Sequence, residues 1–391
     1  MTEPRFETEA TWRHVQYREV SRFTETYGFA GAAGNVNLEG VHYTPSGRGS
    51  KTLMIFMHPS STLQLLPVTR ALPTHGVHVL CAGSRYPKND SALIFEKILL
   101  DIGAWIRTAK EDWGYDKIVL GGWSGGGALS LFYQAQAENP TITDTPAGDP
   151  VDVAGAALIP ADAITFQAAH LSRARTLTEW MDASVRDELD PDDRDPELDI
   201  YNPANGPPFG AGFVERYRAA QIARNRRITA WVRQTLEDLR KRGGKEVERG
   251  FVVHRTMADP RFLDPAIDPN DRKPNWCYLG DPETVNSGPV GIGRFSTLRS
   301  WLSQWSYDES RADGPANAAA ISVPLLAIEN SADDAVPQPH TRAIFEAAGT
   351  ADKEHRVIEG ATHYYLDQPE QMAEAIGLTL GWLRERNLLE G

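Results

Sequence analysis

The chain has 391 residues, 41% of them hydrophobic and 24% charged, enough to bury a sizeable core and well outside the disordered range. Forty Lys and Arg against 53 Asp and Glu leave a net charge of −13, which repels phosphate backbones and anionic lipid and argues against nucleic acid as a partner. Two cysteines, Cys81 and Cys277, are too few for a disulfide framework or a cysteine-rich metal site. With no basic, apolar leader in Met1–Glu7 and no run of ~18 apolar residues, the expectation is a cytoplasmic protein without a membrane segment.

Taken in chain order, short apolar runs at 53–57, 77–81, 117–121 and 153–159 read as strands covered on both faces. Between the second and third, Ile94, Phe95, Ile98, Leu99, Ile102, Trp105, Ile106 and Ala109 fall at helical spacing, which predicts a crossover helix. The alternation resumes with strands at 324–328 and 356–359 and a closing helix around Met372 to Leu383. The pattern is that of strand–helix–strand units around a mostly parallel sheet, an α/β fold. Between residues 161 and 317 the rhythm is lost, and the segment reads as an insertion. It carries nine acidic and two basic residues over 182–199, then ten basic and three acidic over 213–245. Two such blocks neutralise each other within one chain or between copies of it. The acidic block lacks the turning glycine of a calcium loop and is broken by Pro191 and Pro196.

The chemistry centres on Gly121-Gly122-Trp123-Ser124-Gly125-Gly126-Gly127, after one expected strand and before a helical stretch, Ala128 to Glu138. A serine on so sharp a turn needs small neighbours, and the turn exposes its hydroxyl. The amide of Gly125, at the start of the new helix, is placed to donate to an oxyanion. A serine hydroxyl is a poor nucleophile at neutral pH, so a histidine base and an orienting carboxylate are required. Both follow in the chain, in Ser331-Ala332-Asp333-Asp334-Ala335-Val336-Pro337 and in Gly360-Ala361-Thr362-His363.

With these three motifs the chain resembles the α/β-hydrolase superfamily, over roughly residues 45–162 and 320–390. The resemblance implies an elbow serine, an acid on a D-x-x-V-P turn and a histidine on a G-x-x-H turn. Matching Val336 and Pro337 selects Asp333 over Asp334; in some relatives the acid follows the preceding strand, which here points to Asp162. The implied set is Ser124, His363 and Asp333. The second oxyanion donor is expected after the 53–57 strand, in His58-Pro59-Ser60-Ser61. Proline has no N–H, so Ser60 is the expected donor and Ser61 the next; His58 is assigned a structural hydrogen-bonding role. The fold implied is a catalytic core of residues 1–160 and 318–391 with a mainly helical cap, 161–317, entering after a strand that ends near Ile159. Trp123 and Ser61 beside the reacting groups, and Trp301 and Trp305 in the cap, are candidates for the substrate wall. The activity implied is hydrolysis of carboxylic esters or lactones of small to medium hydrophobic molecules, with no metal or organic cofactor. Thioester, amide and carbon–carbon bond hydrolysis, and ligand binding without catalysis, are the alternatives. The cap's charge blocks also suggest a homo-oligomer.

Overall fold

The apolar runs at 53–57, 77–81, 117–121 and 324–328 become strands whose residues alternate between two buried faces. The strands of the computed structural model, which describes residues 6–19 and 29–389, are β1 (Thr8–Arg18), β2 (Asn35–Pro45), β3 (Thr52–Phe56), β4 (His78–Ala82), β5 (Lys117–Trp123) and β6 (Ala163–Gln167). Then come β7 (Gly250–Val252), β8 (Phe295–Thr297), β9 (Leu325–Asn330) and β10 (Lys353–Ile358). The N-terminal five residues, on which part of the reading of a missing leader rests, lie outside the described residues.

Eight strands form one sheet in the order β1-β2-β4-β3-β5-β6-β9-β10. Pairing is parallel from β4 to β10, while β2 runs antiparallel to both β1 and β4. Leu53 and Ile55 of β3 face one core, with the helix Phe95–Glu111 and the helix Gly125–Glu138. Met54 and Phe56 face the other, with the closing helix Pro369–Glu385. This period-two division of a continuous apolar strand is what a sheet covered on both sides requires. The crossover helix buries Ile98, Leu99, Ile102, Trp105, Ile106 and Ala109, the stripe read from the sequence.

One strand is displaced from its expected place. Residues 153–156 form a turn and 157–159 an irregular stretch, and the sheet strand is Ala163–Gln167, paired to β5 through Val119 to Trp123 and to β9. The chain therefore leaves the sheet after Gln167, so β6 lies inside the span expected for the insertion. Asp162 then precedes β6 rather than following it. Its Oδ2 accepts the Ile118 N–H at 2.8 Å, at the opposite end of the sheet from Ser124.

The segment between β6 and β9 is built on a 32-residue helix, Ala211–Arg242, and on the short β7–β8 ribbon. Its own apolar core gathers Ile228, Val232, Leu236, Leu298, Trp301, Leu302 and Trp305. The two charge blocks touch within the chain at one ion pair: Arg224, fully buried, donates to both oxygens of Glu188. Arg226 and Arg233 pair instead with Asp308 and Glu309, outside the acidic block. Among the described residues no helix is long and apolar enough to cross a membrane.

A buried ionic network fastens this segment to the core. Arg261 donates to Asp259 at 2.6 Å and to Glu179, whose Oε2 also lies 2.9 Å from Nε2 of His340 on the core helix Gln338–Ala347. Arg218 donates to the other Asp259 oxygen at 2.7 Å. Removing one member of a buried set strands its partners in low dielectric. Arg261→Met is therefore expected to lower the free energy of unfolding by about 3–5 kcal/mol, measured by urea denaturation; a loss below about 1 kcal/mol would mean that the network is not carrying the interface.

Candidate active site

All groups of interest sit at the C-terminal ends of parallel strands, the edge where open α/β sheets hold ligands. Ser124 follows β5 and adopts φ 51° and ψ −120°, a left-handed conformation rare for a side chain bearing a Cβ. Its amide donates to the carbonyl of Gln167 at 3.3 Å, tying the turn to the end of β6. The glycines around it allow backbones to touch. A Cβ on Gly126 would stand 2.5 Å from the Met57 carbonyl oxygen, and one on Gly122 2.6 Å from the Gly127 Cα. Gly126→Ala is accordingly expected to destabilise the fold by about 1–3 kcal/mol, seen as a lowered melting temperature.

Asp333 follows β9 and is 3% exposed. Its Oδ1 accepts the amides of Ala335 and Val336 at 2.8 and 2.7 Å, and both of its oxygens lie 3.0 Å from His363 Nδ1. His363, 2% exposed, follows β10. Burial works against a charged imidazole, but the Asp333 carboxylate and its hydrogen bond, helped by Asp334, outweigh it and hold His363 above its ordinary value. Asp334 turns the other way: its Oδ2 accepts the Trp276 indole N–H at 3.2 Å, and its Oδ1 accepts the His363 amide at 3.4 Å. Burial and the neighbouring Asp333 push the Asp334 carboxyl up. Asp333, not Asp334 or Asp162, is the carboxylate joined to the imidazole.

Ser124 is half-exposed, and among the described residues no hydrogen bond joins its hydroxyl to His363. Trp123, the residue before Ser124, lies with its ring edge-on to the imidazole, centroids 5.5 Å apart. Trp123 is 2% exposed and also stacks on Tyr364, so it backs the imidazole and presents almost no surface to a substrate. Tyr278, from the segment between β6 and β9, approaches the imidazole from another side at 6.1 Å.

Besides that of Trp123 as a substrate wall, four expectations about this region change. The Ser60 amide is already engaged: it points at His58 Nδ1 at 3.2 Å, and the Ser61 amide points at the same atom at 2.9 Å. Neither is a free donor to a ligand, although Ser61 is exposed. Trp301 and Trp305 are 0% exposed. The Trp301 indole N–H donates to Thr229 at 2.9 Å, and the Trp305 ring lies under the Arg173 guanidinium at 4.3 Å. Both fill the core of the insertion and neither lines an open wall.

Residues that the sequence reading passed over stand beside the serine. His170 and Arg173 come directly after β6. His170 Nε2 lies 3.4 Å from the position a Cβ on Gly125 would take, and Arg173 reaches Ser60 Oγ at 3.4 Å while pairing with Asp90. Placing the strand ten residues too early hid them; the length of the following helix, Arg173–Trp180, begun by Ser172 as its cap, was the available signal. Among the described residues no three His, Cys, Asp or Glu side chains are grouped to hold a metal ion.

No family model and no curated protein matches the chain. Among solved structures, DcsB in complex with its substrate analogue superposes with a TM-score of 0.50 at 14% identity, over 96% of this chain and 99% of that one. Est1E from Butyrivibrio proteoclasticus gives a TM-score of 0.45 at 13% identity, over 90% and 94%. A monoacylglycerol lipase from Paleococcus ferrophilus gives 0.45 at 15%, over 88% and 98%. The eight-stranded order, the helices on both faces and the strained serine between β5 and its helix, together with the likeness to DcsB, give the chain the α/β-hydrolase fold.

Proposed function

We propose that the protein is a serine hydrolase acting on carboxylic esters or lactones of small to medium hydrophobic molecules. The observation that carries the reading is the Asp333–His363 pair, joined at 3.0 Å and buried at the same sheet edge as the strained, half-exposed Ser124. Ser124 Oγ attacks the carbonyl carbon and its proton passes to His363 Nε2, while Asp333 fixes the Nδ1–H tautomer and stabilises the imidazolium. The Gly125 amide belongs to the first turn of its helix, where N–H groups lack an intrahelical acceptor, and it donates to the developing oxyanion. Collapse expels the alcohol, which takes the proton from His363; water then releases the acid by the same route. Tyr364, 41% exposed beside the imidazole, offers aromatic surface for an apolar acyl or alcohol group.

A fluorophosphonate probe followed by peptide mass mapping tests this directly. The expected result is a single adduct on the peptide containing Ser124, together with turnover of p-nitrophenyl esters. An unlabelled protein, or an adduct on another serine, would sink the assignment.

A further inference from the structure

The turn after β3 uses its amides in an unusual way. Ser60 and Ser61 N–H groups both converge on Nδ1 of His58, at 3.2 and 2.9 Å. An imidazole nitrogen that accepts hydrogen bonds carries no proton, so in the neutral ring the hydrogen resides on Nε2. Desolvation of the ring, with Arg173 and His363 nearby, pushes the His58 pKa down to about 3, so the ring stays neutral at physiological pH.

Nε2 points at the elbow. It stands 2.9 Å from the position a Cβ on Gly125 would occupy, so the ring reaches this place only because residue 125 has no side chain. Gly125 is the residue after Ser124, and its amide opens the helix. Among the described residues no acceptor is hydrogen-bonded to His58 Nε2, and the side chain is half-buried rather than sealed. Pro59 removes one amide from the turn and His58 Nδ1 occupies the next two. In their place the turn presents a single N–H, held rigidly by two backbone donors.

We propose that His58 Nε2–H is the second oxyanion donor, acting with the Gly125 amide on the carbonyl oxygen of the substrate. The inference rests on the serine-hydrolase reading above. In the acylation step a bond forms between Ser124 Oγ and the carbonyl carbon, the carbonyl π pair moves onto oxygen, and the Oγ proton moves to His363. His58 keeps its proton throughout and only donates to that oxygen, which sets it apart from a second base. A donor that meets the oxygen better as an alkoxide than as a carbonyl lowers the barrier without tightening substrate binding.

The test combines two variants with one measurement on the unaltered protein. His58→Phe keeps a planar ring and removes the donor; kcat for a p-nitrophenyl ester is expected to fall about 10²–10³-fold with KM little changed. His58→Gln supplies an amide oxygen for the two turn amides and an N–H for the substrate, and is expected to recover at least about tenfold of that loss. Equal kcat in wild type and His58→Phe, within about threefold, overturns the proposal and leaves the serine-hydrolase reading intact. If the wild type neither turns over esters nor takes the fluorophosphonate at Ser124, both fall together. In the second measurement the wild type, carrying ¹⁵N-labelled histidine, is examined by NMR with an alkylboronic acid bound to Ser124. The His58 Nε2–H resonance is expected to persist and move downfield as it meets the boronate oxygen. An unmoved resonance, or one showing the proton on Nδ1, overturns the proposal even if His58→Phe does not fold.

Discussion

Ser124→Ala is expected to lower kcat for a p-nitrophenyl ester by about 10⁵–10⁶-fold while leaving the melting temperature within a few degrees of wild type. On the serine-hydrolase reading proposed above the Ser124 hydroxyl is the nucleophile, and its removal deletes the acyl-enzyme route rather than weakening it. The residue left behind keeps the strained backbone, since a Cβ is already accommodated at φ 51°. Alanine has no hydroxyl to lose from the core, because Ser124 is half-exposed. Stopped assays with high enzyme concentration would measure the residual rate. A variant retaining more than about one per cent of wild-type kcat would place the nucleophile elsewhere.

Asp333→Asn is expected to cost about 10⁴-fold in kcat, and Asp334→Asn less than about tenfold. Asparagine preserves shape at 333 but offers an N–H towards His363 Nδ1, which favours the tautomer with its proton on the wrong nitrogen. Asp334 has no bond to the imidazole ring; it holds Trp276 and the His363 amide. The pH profile separates the two further. His363 is held above the ordinary histidine value by Asp333 first among the nearby charges and by Asp334 after it. A base must be neutral to accept a proton, so the rate falls as pH drops through that raised value. Replacing Asp333 removes the main support for the imidazolium, so the acid limb of kcat/KM moves to lower pH. Replacing Asp334 moves it the same way by a smaller amount. An acid limb that moves upward in either variant would contradict the electrostatic assignment.

The strands that carry the site were legible because they are nearly pure apolar runs. Residues 53–57, 77–81 and 117–121 are buried on both faces, so burial leaves a local trace. Asp333 was picked out by the resemblance to a D-x-x-V-P turn, and the structure gives that turn a physical reason: the amides of Ala335 and Val336 bond its carboxylate, so a short turn of fixed length is needed there. The strand at 153–159 misled because Val153, Ala154, Ala156, Ala157, Leu158 and Ile159 form an apolar run as good as any, whereas the true strand, Ala-Ile-Thr-Phe-Gln, includes two polar residues. Their fit beside β5 and β9 is a matter of neighbours and not of local composition. The edge pair β1 and β2 was not read at all: β1 is largely exposed, with Trp12 61% open to solvent, so it lacks the apolar contrast that marks a strand. The engagement of the Ser60 and Ser61 amides was beyond reach for a different reason. It depends on which way one imidazole turns, and no spacing encodes that.

The segment from Asp271 to Tyr278 is bonded to the turn that bears Asp333. The Asp271 amide donates to the Ser331 carbonyl, the Ser331 hydroxyl to the Asp271 carboxylate, the Tyr278 amide to the Asp334 carbonyl and the Trp276 indole to the Asp334 side chain. The inserted segment and the turn that bonds the His363 imidazole are thus stitched to each other across some sixty residues of sequence. Exchanging the inserted segment for that of another protein of this fold would leave Ser331 and Asp334 with unanswered polar groups next to His363. In this protein the segment is no detachable module; a change in it has to be carved within the existing contacts, or arrive together with a rewritten acid turn.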